Sequence, residues 1–214
     1  MEIYWLGHSC FWLKGRQASI ITDPFPPSLG YQIGRPSAHI VTVSHHHDDH
    51  NYVKGVSGSP RILDAPGEYE INGVYITAVP TYHDGRKGAV RGPNLAFVFE
   101  MEGLLLCHLG DLGHVPTSEQ VELLSGVDVL MVPVGGHTTI DGATAAEVVR
   151  VLEPRVVIPM HYRTPVCLLP LDPVDRFLKE MEAGSLVPQA KLSLTHSSLP
   201  EATQVVLLAY RGAS

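Results

Sequence analysis

The apolar positions of the first hundred residues come in short runs, at 2–6, 10–14, 18–22, 40–44, 61–64, 68–71, 74–79 and 95–100. Turn signals such as Lys14-Gly15, Pro66-Gly67, Asn72-Gly73 and Gly92-Pro93 cut them off. Runs this short, bounded in this way, predict strands rather than helices. Glu68-Tyr69-Glu70-Ile71 and Val74-Tyr75-Ile76-Thr77 flank Asn72-Gly73, which predicts a hairpin, because a type I′ turn needs positive φ at both central positions.

In the second half helices intervene. Leu104-Leu105-Leu106, Val127 to Val132 and Val156 to Pro159 read as strands. Thr117 and Gln120 are spaced for a capping box on a helix ending near Gly126. Asp141 is placed to cap a helix whose Ala145, Val148, Val149 and Leu152 fall at i, i+3, i+4 and i+7. Pro173 suits the first helical position of a third, with Val174, Phe177, Leu178 and Met181 as its stripe. Residues 191–194 and 204–210 close the chain as strands. The pattern is that of an α/β (α+β) protein.

With 214 residues, 44% of them hydrophobic, the chain can bury one sizeable core, and a single domain over 1–214 is expected. The formal charge of −7 and the absence of a Lys/Arg-rich run argue against nucleic-acid or membrane partners. The N-terminal residues do not read as a leader, and Cys10, Cys107 and Cys167 are odd in number and far apart, so reduced thiols and a cytoplasmic setting are expected. Cys107 should face the core rather than act as a ligand. Residues 24–36, rich in Pro and Gly and carrying Phe25 and Tyr31, read as an ordinary surface connection or as a flap over a site.

The chemistry concentrates in His45-His46-His47-Asp48-Asp49-His50, directly after the apolar Ile40 to Val43. Were this run extended, His45, His47 and Asp49 would share one face and His46 and Asp48 the other. His-x-His-x-Asp-His can hold two metal ions, and imidazoles beside a carboxylate suit zinc, iron and related hydrolytic ions. Further ligand types stand at strand exits: His83 and Asp84, His108 and Asp111, and His161.

In these motifs, from Thr22-Asp23-Pro24 to His161, the chain resembles the metallo-β-lactamase superfamily. The resemblance implies a four-layer αββα sandwich. It assigns His45, His47 and His83 to one divalent ion, Asp49, His50 and His161 to a second, and Asp111 as the bridge. Zinc is the ion most expected, with manganese or iron as alternatives. The nucleophile implied is a hydroxide shared by the two ions, with Asp49 and Asp111 as the catalytic carboxylates and no serine or cysteine nucleophile. Asp23 is expected to orient the 45–50 loop. His114 and His137 are either pocket residues or bystanders. Arg163, with Arg86, Lys87 and Arg91, is placed to receive an anionic substrate or is simply solvated.

Pro66-Gly67-Glu68-Tyr69-Glu70, His108-Leu109-Gly110-Asp111, Pro133-Val134-Gly135-Gly136 and Met160-His161-Tyr162 look like the branch of small metal-dependent hydrolases that includes ascorbate-6-phosphate lactonase and N-acylphosphatidylethanolamine phospholipase D. That similarity implies hydrolysis of a lactone or phosphodiester in a small-molecule substrate, although this chain is much shorter than those two enzymes. The competing readings are an iron-dependent oxygenase, a nuclease on the same fold, and a non-enzymatic metal-binding protein. Acidic balance weakens the nuclease. The histidine at position 47, where flavodiiron proteins carry glutamate, weakens the oxygenase, and the complete ligand set weakens the non-enzymatic reading.

Overall fold

The computed structural model describes residues 1–211. In chain order its strands are β1 (Glu2–Gly7), β2 (Cys10–Lys14), β3 (Ser19–Thr22), β4 (Ile40–Thr42), β5 (Arg61–Leu63), β6 (Gly67–Ile71), β7 (Val74–Tyr82), β8 (Pro93–Met101), β9 (Leu104–His108), β10 (Val129–Pro133), β11 (Val156–Met160), β12 (Leu192–Ser193) and β13 (Gln204–Val205). The helices are α1 (Ser118–Leu124), α2 (Gly142–Leu152) and α3 (Asp175–Glu180). One mixed sheet has the order β12-β1-β2-β3-β4-β5 and the other β13-β11-β10-β9-β8-β7-β6.

Strand alternation builds the sandwich. Ile3, Trp5, Phe11, Leu13, Ile20 and Ile40 point toward the second sheet and share one core with its Ile76, Phe97, Phe99 and Leu106. Each such side chain contributes about 1.5–3 kcal/mol by leaving water. The helices pack on the far side of the second sheet, α1 on β7, α2 on β10 and α3 on α2. Leu6, Cys10, Ile21 and Val41 point the other way and are covered by Phe25, Leu29, Tyr31 and Ile33. The 24–36 segment is therefore the layer that seals the outer face of the first sheet, with one 3₁₀ turn at Pro27–Leu29. Pro27, Ser28, Gln32, Gly34 and Arg35 are exposed, but Phe25 and Tyr31 are at most 1% exposed, so the segment is a connection anchored by its apolar side chains and not a free flap.

The local signals hold. Thr117 and Gln120 make the reciprocal capping box of α1, the Asp141 side chain accepts the Thr144 N–H at the start of α2, and Asn72 and Gly73 both take positive φ in the β6–β7 turn. Two boundaries differ. Helix α3 begins at Asp175 with Val174 as its N-cap, so Pro173 precedes the helix rather than opening it. Of the strand expected over 204–210 only Gln204–Val205 pairs regularly, against β11.

The topology also gathers the polar strand exits. Strands β9, β10 and β11 are parallel, and β7, antiparallel to β8, runs with β9. In the first sheet β3 and β4 are parallel, and β1 runs with β3 because both are antiparallel to β2. The chain after β1, β3, β4, β7, β9 and β11 thus emerges near one edge of the sandwich, the usual place for a site in such sheets.

Candidate metal centre

Strand β4 stops at Thr42, and Asp23 is the reason. Its fully buried carboxylate accepts the Ser44 N–H at 2.7 Å and the Ser44 hydroxyl at 2.6 Å, drawing the chain out of the sheet. A turn follows, closed by the His50 N–H on the His47 carbonyl at 3.0 Å. The extended alternation expected for 45–50 is corrected accordingly: the turn, not a pleat, gathers the ligands. His45 and His50 are buried, Asp49 is half-buried, His47 sits at the exposed rim, and His46 and Asp48 face solvent.

Asp23 also sets ring orientations. Ser44 has one hydroxyl proton and gives it to Asp23, so His45 Nδ1–H donates to Ser44 Oγ at 2.9 Å and His45 Nε2 carries the lone pair. That Nε2 is buried with no partner among the described residues, a state that ordinarily costs about 1–3 kcal/mol. His50 Nδ1–H donates to Asp23 Oδ2 at 2.9 Å, leaving Nε2 aimed into the cluster.

Asp111 enters from the end of β9 through Gly110, whose φ is 57°. Asn94 clamps this turn: its Oδ1 accepts the Asp111 N–H at 2.9 Å while its Nδ2 donates to Thr81 Oγ1 and the Leu109 carbonyl. Asp111 Oδ2 lies 3.2 Å from His50 Nε2, 3.2 Å from His161 Nε2, 3.5 Å from His83 Nε2 and 4.0 Å from His45 Nε2. Ligand atoms of His45, His47 and His83 form one compact group, all within 4.8 Å of one another. Those of His8, His50 and His161 form another. A third geometric group, Asp23 with His45 and His50, is explained by the hydrogen bonds above.

The field at this edge favours positive charge. Burial alone would raise the Asp111 carboxyl, but His161 and His50 hold it well below the usual carboxylate range. Burial likewise opposes ionisation of Asp49, which His8 and His50 keep low. Burial opposes a charge on His50 as well, yet Asp111 and Asp23 raise that imidazole well above its ordinary value. His45, buried beside His50, is pushed down to about 3. Ionised buried carboxylates, imidazole nitrogens aimed at one spot and an unpartnered His45 Nε2 fit divalent ions.

The remaining candidates lie around this centre. His114 Nε2 accepts the Tyr82 N–H at 3.2 Å and its Nδ1–H donates to the Val115 carbonyl, so both ring nitrogens are engaged and the ring ties the end of β7 to the loop before α1. His137 is exposed, with Nε2 3.4 Å from Asp172 Oδ1, and its carbonyl accepts Arg91 Nη2–H. Arg163 is exposed beside His161. His108 is structural, donating to the Ser9 carbonyl at 2.7 Å, and Cys107 is buried in the main core as expected. Asp84 accepts four backbone N–H groups, from Arg86, Gly88, Val90 and Arg91, and shapes the loop after His83. Sequence reasoning missed His8 and Asn94. The one local sign was a polar Gly7-His8-Ser9 tip between two apolar strands.

Comparison with known proteins agrees. The profile of the β-lactamase superfamily domain matches residues 2–161. A metal-dependent hydrolase of Pyrococcus abyssi is 28% identical over 193 residues, covering 77% of this chain and 85% of that protein. One from Methanoculleus marisnigri is 32% identical over 189 residues, covering 77% and 82%. The crystal structure of a Thermotoga maritima protein, described as a candidate zinc-dependent hydrolase of the metallo-β-lactamase superfamily, aligns with a TM-score of 0.80 at 43% identity over 97% of both chains. With two mixed sheets, flanking helices and a histidine and aspartate metal site at one edge, the chain has the metallo-β-lactamase fold and belongs to that superfamily, in the UPF0173 family of metal-dependent hydrolases.

Proposed function

We propose that this protein is a two-ion hydrolase acting on an ester-type bond, a lactone or phosphodiester, in a small organic molecule. The observation that carries the reading is Asp111 Oδ2, which lies within 3.2–4.0 Å of imidazole nitrogens from two separate ligand groups. His45, His47 and His83 would hold one ion and Asp49, His50 and His161 the other, with Asp111 common to both. Two bound divalent ions supply an acidified water at neutral pH and polarise the scissile group. The imidazole-rich set suits zinc first, then manganese or iron.

The chain's own residues do the rest. Asp111 supplies the negative charge that lets two dications sit side by side. Asp49, with its side chain 31% exposed, is the carboxylate placed to orient the water or take its proton. A cavity of about 400 Å³ opens beside His45 and His47, walled by Pro66, Pro80, Pro93 and Leu95, with Arg91 at its border. Apolar walls suit the organic part of a substrate, and a guanidinium suits a phosphate or carboxylate on it. A net charge of −7 favours a small molecule over nucleic acid, and no helix among the described residues is long and apolar enough to cross a membrane.

The test is elemental mass spectrometry of untagged protein purified without added metal, followed by lactone and phosphodiester panels with wild type and Asp111→Asn. Two zinc or manganese ions per chain, and turnover of one substrate class that the variant loses, are expected. One tightly held iron without hydrolysis would overturn the reading in favour of oxygen chemistry.

A further inference from the structure

His8 sits in the turn joining β1 to β2 and is fully buried. Its φ of 53° places a histidine in the left-handed region, a cost of order 1–3 kcal/mol that persists only where the surroundings enforce it. Here they do. The His8 carbonyl accepts the Trp5 Nε1–H at 2.9 Å and the His161 N–H at 3.1 Å. His161 has the same φ of 53°, so two strained histidine backbones are locked to each other at the second ligand group. The His8 ring, backed edge-on by Phe25, then has one direction open to it. Nε2 lies 3.0 Å from His50 Nε2 and 3.3 Å from Asp49 Oδ2.

We infer that His8 is a ligand of the second ion, joining Asp49, His50, Asp111 and His161, an inference that rests on the two-ion reading above. Two donor atoms bound to one ion through bonds of about 2.0–2.2 Å fall about 3.0–3.5 Å apart. His8 Nε2 keeps that spacing to both His50 and Asp49, as His50 and His161 keep it to Asp111 at 3.2 Å. The competing role is a hydrogen-bond donor to Asp49. Against it, the closer atom is His50 Nε2, which the bond to Asp23 already aims into the same spot. Two ring nitrogens directed at one point are reconciled by a shared cation. The consequence is an asymmetric centre. Five protein donors enclose the second ion, whereas the first, held by three histidines and Asp111, borders the open cavity and is the one that meets substrate.

Zinc titration calorimetry of demetallated wild type, His8→Ala and His8→Gln tests this without reference to turnover. Wild type should bind two equivalents. Both variants should keep the first, which also shows them folded, and bind the second at least about 100-fold more weakly, at or beyond the upper end of what losing an outer-shell partner costs. Glutamine retains an N–H donor, so a second equivalent bound normally by His8→Gln would overturn ligation, as would normal binding by His8→Ala. Wild type binding a single equivalent would overturn the two-ion reading as well. Nitrogen-15 histidine spectra of zinc-loaded wild type provide a check free of mutation: six imidazoles with metal-bound shifts are expected, and five would reject the inference.

Discussion

Asp23 Oδ2 lies 2.9 Å from His50 Nδ1, with both side chains fully removed from solvent. The same carboxylate holds Ser44 and, through it, His45, so one residue orients a histidine in each of the two clusters. Asp23→Asn tests this. Its φ of 37° is one asparagine tolerates, so the backbone should survive. The amide, however, presents a donor where an acceptor is needed. Metal affinity should fall by about 10–100-fold, and the metal-free protein should lose about 3–5 kcal/mol, as when one partner of a buried pair is removed. Metal titration and urea denaturation read the two effects, and unchanged affinity would refute the orienting role.

Gly110 is the second point of control. A Cβ there would lie 2.5 Å from both Asn94 Oδ1 and Ser44 Cβ, at a φ of 57°. Neither neighbour can yield freely, since Asn94 holds Asp111 and Ser44 holds His45. Gly110→Ala should therefore weaken binding of both ions and cost about 1–3 kcal/mol from overpacking, in addition to backbone strain. Gly103→Ala is the control, with a φ of 76° but open space around it, and should show the strain alone with metal binding intact. Equal behaviour of the two variants would remove the clash as the cause.

Local chemistry made much of this legible in the sequence. The His45–His50 run, the Asn72-Gly73 turn and the Thr117 and Gln120 capping box each announce themselves within a few residues. His8 does not, because its partner His50 is 42 positions away and nothing near it in the chain reveals that the β1–β2 turn reaches the site. Asn94 is hidden in the same way, bound to Asp111 across two strands. The 24–36 segment misleads for a different reason. Its prolines and glycines describe the backbone correctly, while Phe25 and Tyr31 become core because the first sheet leaves an apolar face that no α-helix among the described residues covers. His114 and His137 looked equivalent as loop histidines, and packing alone separates a brace from an exposed residue.

Asp84 makes a pH-dependent prediction. Backbone N–H groups, that of Arg91 foremost, bring its carboxyl from the ordinary 3.8 down to about 2. A folded value below the unfolded one means the carboxylate stabilises the loop fully above about pH 4, and that this contribution is lost as pH falls toward 2. Amide hydrogen exchange at residues 86–91 should therefore stay slow in wild type at pH 5 and lose protection between pH 4 and 2, after correction for the intrinsic rate. In Asp84→Asn, which has one acceptor oxygen for four donors, exchange should be fast already at pH 5. A variant protected like wild type would show that the loop does not depend on this carboxylate.

Phe25 decides what the 24–36 segment is for. Its ring lies 5.5 Å from that of Tyr31 and packs edge-on against His8, beneath the metal centre rather than above the cavity. Phe25→Ala should cost about 3–5 kcal/mol in urea denaturation of the metal-free protein, the toll of an emptied core position. Tyr31→Phe, which keeps the ring and loses the hydroxyl contacts, chief among them the bond it accepts from Thr164 Oγ1–H at 2.7 Å, should cost about 1 kcal/mol. A mobile flap would give the opposite result, with stability barely changed and substrate affinity altered. Because Phe25 also backs the ring of His8, its loss should loosen the second ion while leaving the first in place, an order of metal release that a general unfolding of the site would not produce.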